Sequence, residues 1–183
     1  MQTIERQKID DLLNNNMVDE ALNYINDSLN LCPNSASAQT LTLRGKILLI
    51  KKLYDEAIIN LNQAIELNPF IEESFYLRSK WFIKKKMWKE AHEDCERALK
   101  LNPNYALAYA GLGILMVKQS KNHDGLIFFK QAIELDNNCC LAYFNLGNLY
   151  FQIDNYDPAL RNLNKAIQID EKFANAYEKR GFN

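Results

Sequence analysis

Carboxylates stand at helical spacing in two places, Asp154 with Asp157 and Glu93 with Glu96. A couple of that kind could divide acid and base roles between its members. Helices that meet water scatter such pairs freely, so a solvated face is the reading taken for both. The two histidines, His92 and His123, lie far apart in the chain, and no nucleophile, base and orienting group can be assembled around either. Gly111-Leu112-Gly113 falls inside a helical pattern, where its glycines serve packing and not a phosphate. No catalytic residue, no cofactor and no enzymatic activity is expected.

Four cysteines, Cys32, Cys95, Cys139 and Cys140, contain no C-x-x-C, and neither histidine completes a zinc-like spacing. No metal site is therefore expected. The adjacent Cys139-Cys140 could form a vicinal disulfide or a thiol sensor, but two reduced thiols at a turn is the plainer reading. Cys95 stands where a larger apolar residue would be buried and is read as a small hydrophobe. Lys84-Lys85-Lys86 with Trp81 and Trp88 could offer charge and stacking to single-stranded nucleic acid. Lysine runs also solubilise helix ends, and Trp88 fits an aromatic place at a helix start, so nucleic acid is not the expected partner.

Overall charge agrees. The 183 residues carry 22 basic and 23 acidic side chains, a net of -1, which supports no general attraction to nucleic acid or anionic lipid. The opening Met1-Gln2-Thr3-Ile4-Glu5-Arg6 has no apolar signal segment, and no run approaches the roughly 18 apolar residues of a membrane span. The default expectation is a soluble protein of the cytoplasm or another reducing intracellular compartment, with no membrane partner.

The elements that carry these residues repeat. At an offset of 34, Gly147 falls on Gly113, Ser79 and Gly45, and beyond them on Gly181; Ala166 falls on Ala132, Ala98 and Ala64. Ala159 falls likewise on Gly125, Ala91 and Ala57. Small residues returning at one period mark stacked units of two helices. The units are 2–35, 38–71, 72–105, 106–139 and 140–173, with a partial sixth, 174–183, in a single array over 1–183. Each is too small to bury its own apolar face, so neighbours must stack. Glycine on the first helix and alanine or glycine on the second let the two backbones approach.

The first unit departs most, with Ile9 where later ones carry Gly or Ser, and is read as a cap. It precedes a step of 36 instead of 34, which places two extra residues in the Pro33 to Ser37 joint. Asn68-Pro69 ends one second helix, and Pro158 opens another where its missing N–H does no harm. The chain stops inside a repeat, as a fragment of a longer array would. The apolar face around Tyr177 and Phe182 makes end-to-end self-association a further expectation.

An aromatic or Leu, then Leu-Gly, Tyr, Ala, Phe, Ala and Pro: this pattern resembles the tetratricopeptide repeat over about the whole chain. The resemblance implies an all-α fold, a right-handed superhelical solenoid of antiparallel helix pairs whose first helices line a concave groove. It also implies binding of a protein or peptide. The family's geometry would place Lys46, Tyr76, Lys80 and Lys84 on a basic stretch of that groove. Leu107, Ile114, Leu141, Phe144, Asn145 and Asn148 would form an apolar and amide-bearing stretch. The expected ligand is an extended or helical peptide with apolar anchors over Phe144, Ile114 and Leu141 and acidic residues toward Lys80 and Lys46. In the alternative, these apolar residues merely pack between adjacent first helices. The family's carboxylate clamp for chaperone C-termini is matched only by Asn145 and arguably Lys179, so a co-chaperone role is not expected. A non-catalytic interaction scaffold is the leading reading, and a structural subunit joined through its array ends the second.

Overall fold

In a computed structural model the chain is described at residues 2–31 and 37–170. Ten helices follow one another: α1 Gln2–Asn14, α2 Val18–Leu31, α3 Ala38–Ile50, α4 Tyr54–Leu67 and α5 Glu72–Lys84. Then come α6 Trp88–Leu101, α7 Ala106–Lys118, α8 Asn122–Leu135, α9 Cys140–Gln152 and α10 Tyr156–Ile169. Among the described residues there is no strand, and no helix is long and apolar enough to cross a membrane. The fold is all-α, as its resemblance implied. Cys32, most of the Pro33 to Ser37 joint and the partial sixth repeat with Tyr177, Lys179, Gly181 and Phe182 lie outside the described residues, and so do the expectations placed on them.

The helices pair through three-residue turns, and each turn has the same physical origin. Asn16, Lys52, Lys86, Ser120 and Asp154 all adopt left-handed backbone, with φ between 56° and 62°. Each donates its N–H three residues back, and the next residue donates five residues back, as Leu53 N does to Leu48 O at 2.9 Å. That double bond is the Schellman closure, which satisfies carbonyls the helix leaves open. Five non-glycine residues bear the strain of this conformation, on the order of 1–2 kcal/mol each. Between pairs, Asn68, Asn102 and Asp136 accept the N–H two residues on through their side chains, at 2.9–3.1 Å. This side-chain turn explains why α8 ends as cleanly at Asn137 as the earlier helices end at Pro69 and Pro103.

The chain divides into two compact units, Met1–Leu101 and Asn102–Asn183. Within them, facing residues sixteen apart meet at each helix crossing. In α7/α8 a Cβ added at Gly113 would stand 2.5 Å from the Phe129 ring, and in α9/α10 one at Gly147 would stand 2.9 Å from Leu163. In α3/α4 one at Gly45 would stand 2.8 Å from Leu61. The α5/α6 crossing reaches the same fit differently. Ser79 replaces glycine, Cys95 replaces the large partner, and both are fully buried. Volume is traded across the crossing, which is what close packing demands. The first pair has Ile9 and Ile25, both buried in one cluster with Ala21, Leu43 and Ile47.

Candidate functional site

Unit Asn102–Asn183 carries a cleft with open polar groups. Helices α7 and α9 bring Ile114, Val117 and Lys118 opposite Asn145, Asn148, Phe151 and Gln152 around a cleft of about 190 Å³. Phe129 and Leu149, both fully buried, form its floor. Asn145 donates Nδ2 to Leu141 O at 2.7 Å, which fixes the amide. Phe151 is held edge-on by Tyr156, with ring centroids 5.6 Å apart. The cleft thus has apolar walls, one cation and three amides, a set that can seat an apolar side chain and bond to peptide groups around it.

Of the residues expected there, Ile114, Asn145 and Asn148 meet in this cleft. Leu107 and Leu141 pack instead with Ala106, Ala110, Ala132, Cys139 and Ala142. Phe144 packs with Cys140 and Tyr143 against Ala166 and Ile167. Alanines at 106, 110, 132 and 142 leave space that Leu107 and Leu141 fill, while Phe144 turns to α10 and not to a neighbouring first helix. Val117, Lys118, Phe151 and Gln152 complete the cleft. The first three follow from helical spacing, whereas Gln152, the last residue of α9, carried no distinguishing signal.

The basic stretch lies in unit Met1–Leu101 and is already engaged. Lys46 Nζ stands 3.4 Å from Asp10 Oδ1 and 3.6 Å from Glu73 Oε1. Arg6 reaches the same two carboxylates, at 3.7 Å to Asp10 and 2.9 Å to Glu73. Tyr76 is buried, with 5% of its surface exposed, and Lys80 lies 5.9 Å above its ring. Lys80 is accessible to water but surrounded by protein. That burial, and then the charge of Lys46, push its ammonium below the usual range. Lys84 sits 5.5 Å over the Tyr54 ring. Acidic side chains of the chain itself therefore occupy part of the place reserved for an acidic ligand.

Trp81 packs edge-on against Phe82 and carries Lys85 above its ring, and Lys85 reaches Asp55 at 3.6 Å. Burial pushes the Cys95 thiol up to about 11. It does the same to Cys140, helped by the charge of Asp170, while Cys139 is raised chiefly by burial. Such thiols carry little thiolate at neutral pH.

Three stretches match the tetratricopeptide repeat model: residues 38–70, 72–105 and 140–173, together more than half of the chain. No curated protein matches the sequence closely enough to count as a relative. Among solved structures, a thermophilic TPR protein of Thermus thermophilus superposes with a TM-score of 0.84 at 18% identity, covering 100% of this chain and 98% of that one. YrrB, described as a TPR protein with an unusual peptide-binding site, gives 0.56 at 25% identity, covering 94% and 88%. A chain of the APC/C hetero-tetramer Cut9-Hcn1 gives 0.79 at 19% identity, with 93% of this chain spanning 34% of that one. Repeats at one period, small residues at four of the five described crossings and these matches converge: the chain belongs to the tetratricopeptide repeat family.

Proposed function

We propose that the chain is a non-catalytic docking module that holds a peptide segment of a partner protein against its first helices, within a multiprotein assembly. The observation that carries this reading is the α7/α9 cleft, where apolar walls and amides are left open to an incoming segment. An apolar anchor of the ligand sits between Ile114 and Phe151. Asn145 and Asn148 bond its backbone, and Lys118 meets an acidic neighbour. The similarity to YrrB supports a peptide as the ligand class. Leu107, Leu141 and Phe144 pack within the unit instead of touching the ligand.

The test is affinity capture from source cells with the wild-type chain and with the double variant Asn148→Arg, Gln152→Arg. Both positions border the cleft, and Gln152 is exposed, so the fold should persist. Blocking a central contact of about 2 kcal/mol or more lowers affinity by well over tenfold. Partners retained equally by both proteins would refute the cleft as the docking site.

A further inference from the structure

A second hollow lies elsewhere on the same unit, and its origin is visible in the repeat. The register position of Leu146 is held by Leu112 in the preceding repeat and by Arg78 and Arg44 in the two before that. Arg44 donates to Asn26 Oδ1 at 2.9 Å and to Asn60 Oδ1 at 3.0 Å, bridging α2 and α4. Arg78 donates to Asn62 at 2.9 Å and clasps both Asp94 oxygens at 2.8 Å, bridging α4 and α6. In each case a guanidinium fills the notch between successive second helices, and acceptors line that notch. Leu146 is buried and too short to do the same. The corresponding notch between α8 and α10 stays open, at about 350 Å³.

Its lining has changed sign. Asn162 keeps the role of Asn60, each donating Nδ2 four residues back, at 2.7 Å to Pro158 O and 2.8 Å to Glu56 O. The position of Asn62, an acceptor, is Lys130, and Arg161 joins it where earlier repeats carry Ile59 or Glu93. Among the described residues neither cation has an ion-pair partner. Glu134 at the rim offsets one of the two charges and leaves the hollow cationic. Tyr143 and Tyr150 supply an apolar wall beside Leu146.

We propose that this notch is a separate docking point for an acidic side chain, glutamate or aspartate, on a partner protein. The carboxylate accepts from Lys130 Nζ, the Arg161 guanidinium and the second N–H of Asn162 Nδ2. Its stem, or an apolar neighbour in the partner, lies on Tyr143 and Tyr150. Two cations and an amide around one carboxylate form the charge-assisted arrangement that gives specificity at an otherwise shallow surface.

The experiment titrates the full chain with a capped tetrapeptide bearing one phenylalanine and one glutamate, reading backbone amide shifts by NMR. Counterparts with glutamine or lysine, and inorganic phosphate, serve as the other arms. The glutamate peptide should shift Lys130, Leu146 and Arg161 with at least about tenfold tighter binding than the glutamine or lysine forms. Leu146→Trp, which fills the notch without adding charge, and Lys130→Glu should each abolish those shifts. Since Lys130 is exposed, the second variant remains decisive even if the first fails to fold. Equal shifts from the glutamine peptide, or shifts confined to Ile114 and Asn148, would overturn the proposal. So would phosphate alone reproducing the effect, since that marks a small-anion site. The readout residues lie outside the α7/α9 cleft, so this proposal and the docking function above can fail separately.

Discussion

The two compact units are built on one repeat yet settle their polar groups in opposite ways. In Met1–Leu101 the arginines at 44 and 78 are spent on the protein's own amides and on Asp94. The lysine at 46 is likewise spent on Asp10 and Glu73. In Asn102–Asn183 the same register carries Leu112 and Leu146, both buried, and the cations Lys118, Lys130 and Arg161 line hollows. The turns differ in the same sense. The residue after the left-handed position is Met17, Leu53 or Met87 in the first unit and Lys121 or Asn155 in the second. A repeat that satisfies its own polar groups stabilises itself; one that leaves them unpaired has them available for a partner.

Removing one clasp should break the first unit most severely. Arg78→Leu leaves the Asp94 carboxylate, 3% exposed, without its counter-charge, and should cost about 3 kcal/mol in urea unfolding. Burial raises the Asp94 pKa, and its hydrogen bonds to Arg78 oppose that rise. A raised folded-state value means that stability from this group is full below the unfolded pKa and lost as pH climbs through the folded one. Without Arg78 the gap widens, so the variant's deficit should be larger near pH 7 than near pH 4. An equal deficit at both would mean that Asp94 is not the group left stranded.

In the second unit the corresponding weakness is steric. Gly147→Leu drives carbon into Leu163 and toward the Ala159 carbonyl, 3.1 Å from the first added atom, and should cost about 2 kcal/mol. An unchanged melting temperature would misplace the crossing. Exchanging crossings between units is a finer probe. Gly113→Ser with Phe129→Cys recreates the Ser79 and Cys95 pair, and the double variant should lose less than the two single ones combined. The coupling should be about 1 kcal/mol; strict additivity would contradict the trade of volumes. Smallest is the turn. Ser120→Gly relieves a φ of 62° and should raise stability by about 0.5–1 kcal/mol.

Glycines and alanines at one period sufficed to read the helix pairs and their crossings, because close backbone approach admits few side chains. The absence of Pro at Asn137 misleads about nothing structural, since Asp136 makes the turn through its own carboxylate. Left-handed Lys52, Lys86 and Ser120 carry no compositional sign, because the closure is set by backbone bonds that many residues tolerate. The groove was less legible. Helical spacing assigns Tyr76 and Leu141 a face of their helices, but how deeply each sinks depends on the size of residues on neighbouring helices. Lys46 looked available because Asp10 and Glu73 lie 36 and 27 residues away along the chain. The open notch at Leu146 was hidden for a different reason: it is visible only once Arg44 and Arg78 are seen to fill its equivalents.

Hydrogen exchange of the chain, free and bound to its captured partner, tests the docking account most directly. Protection on binding should concentrate in α7 and α9, across residues 107–118 and 141–152, with the helices of Met1–Leu101 little changed. Protection confined to α3 and α5, where the cations are already paired, would contradict it.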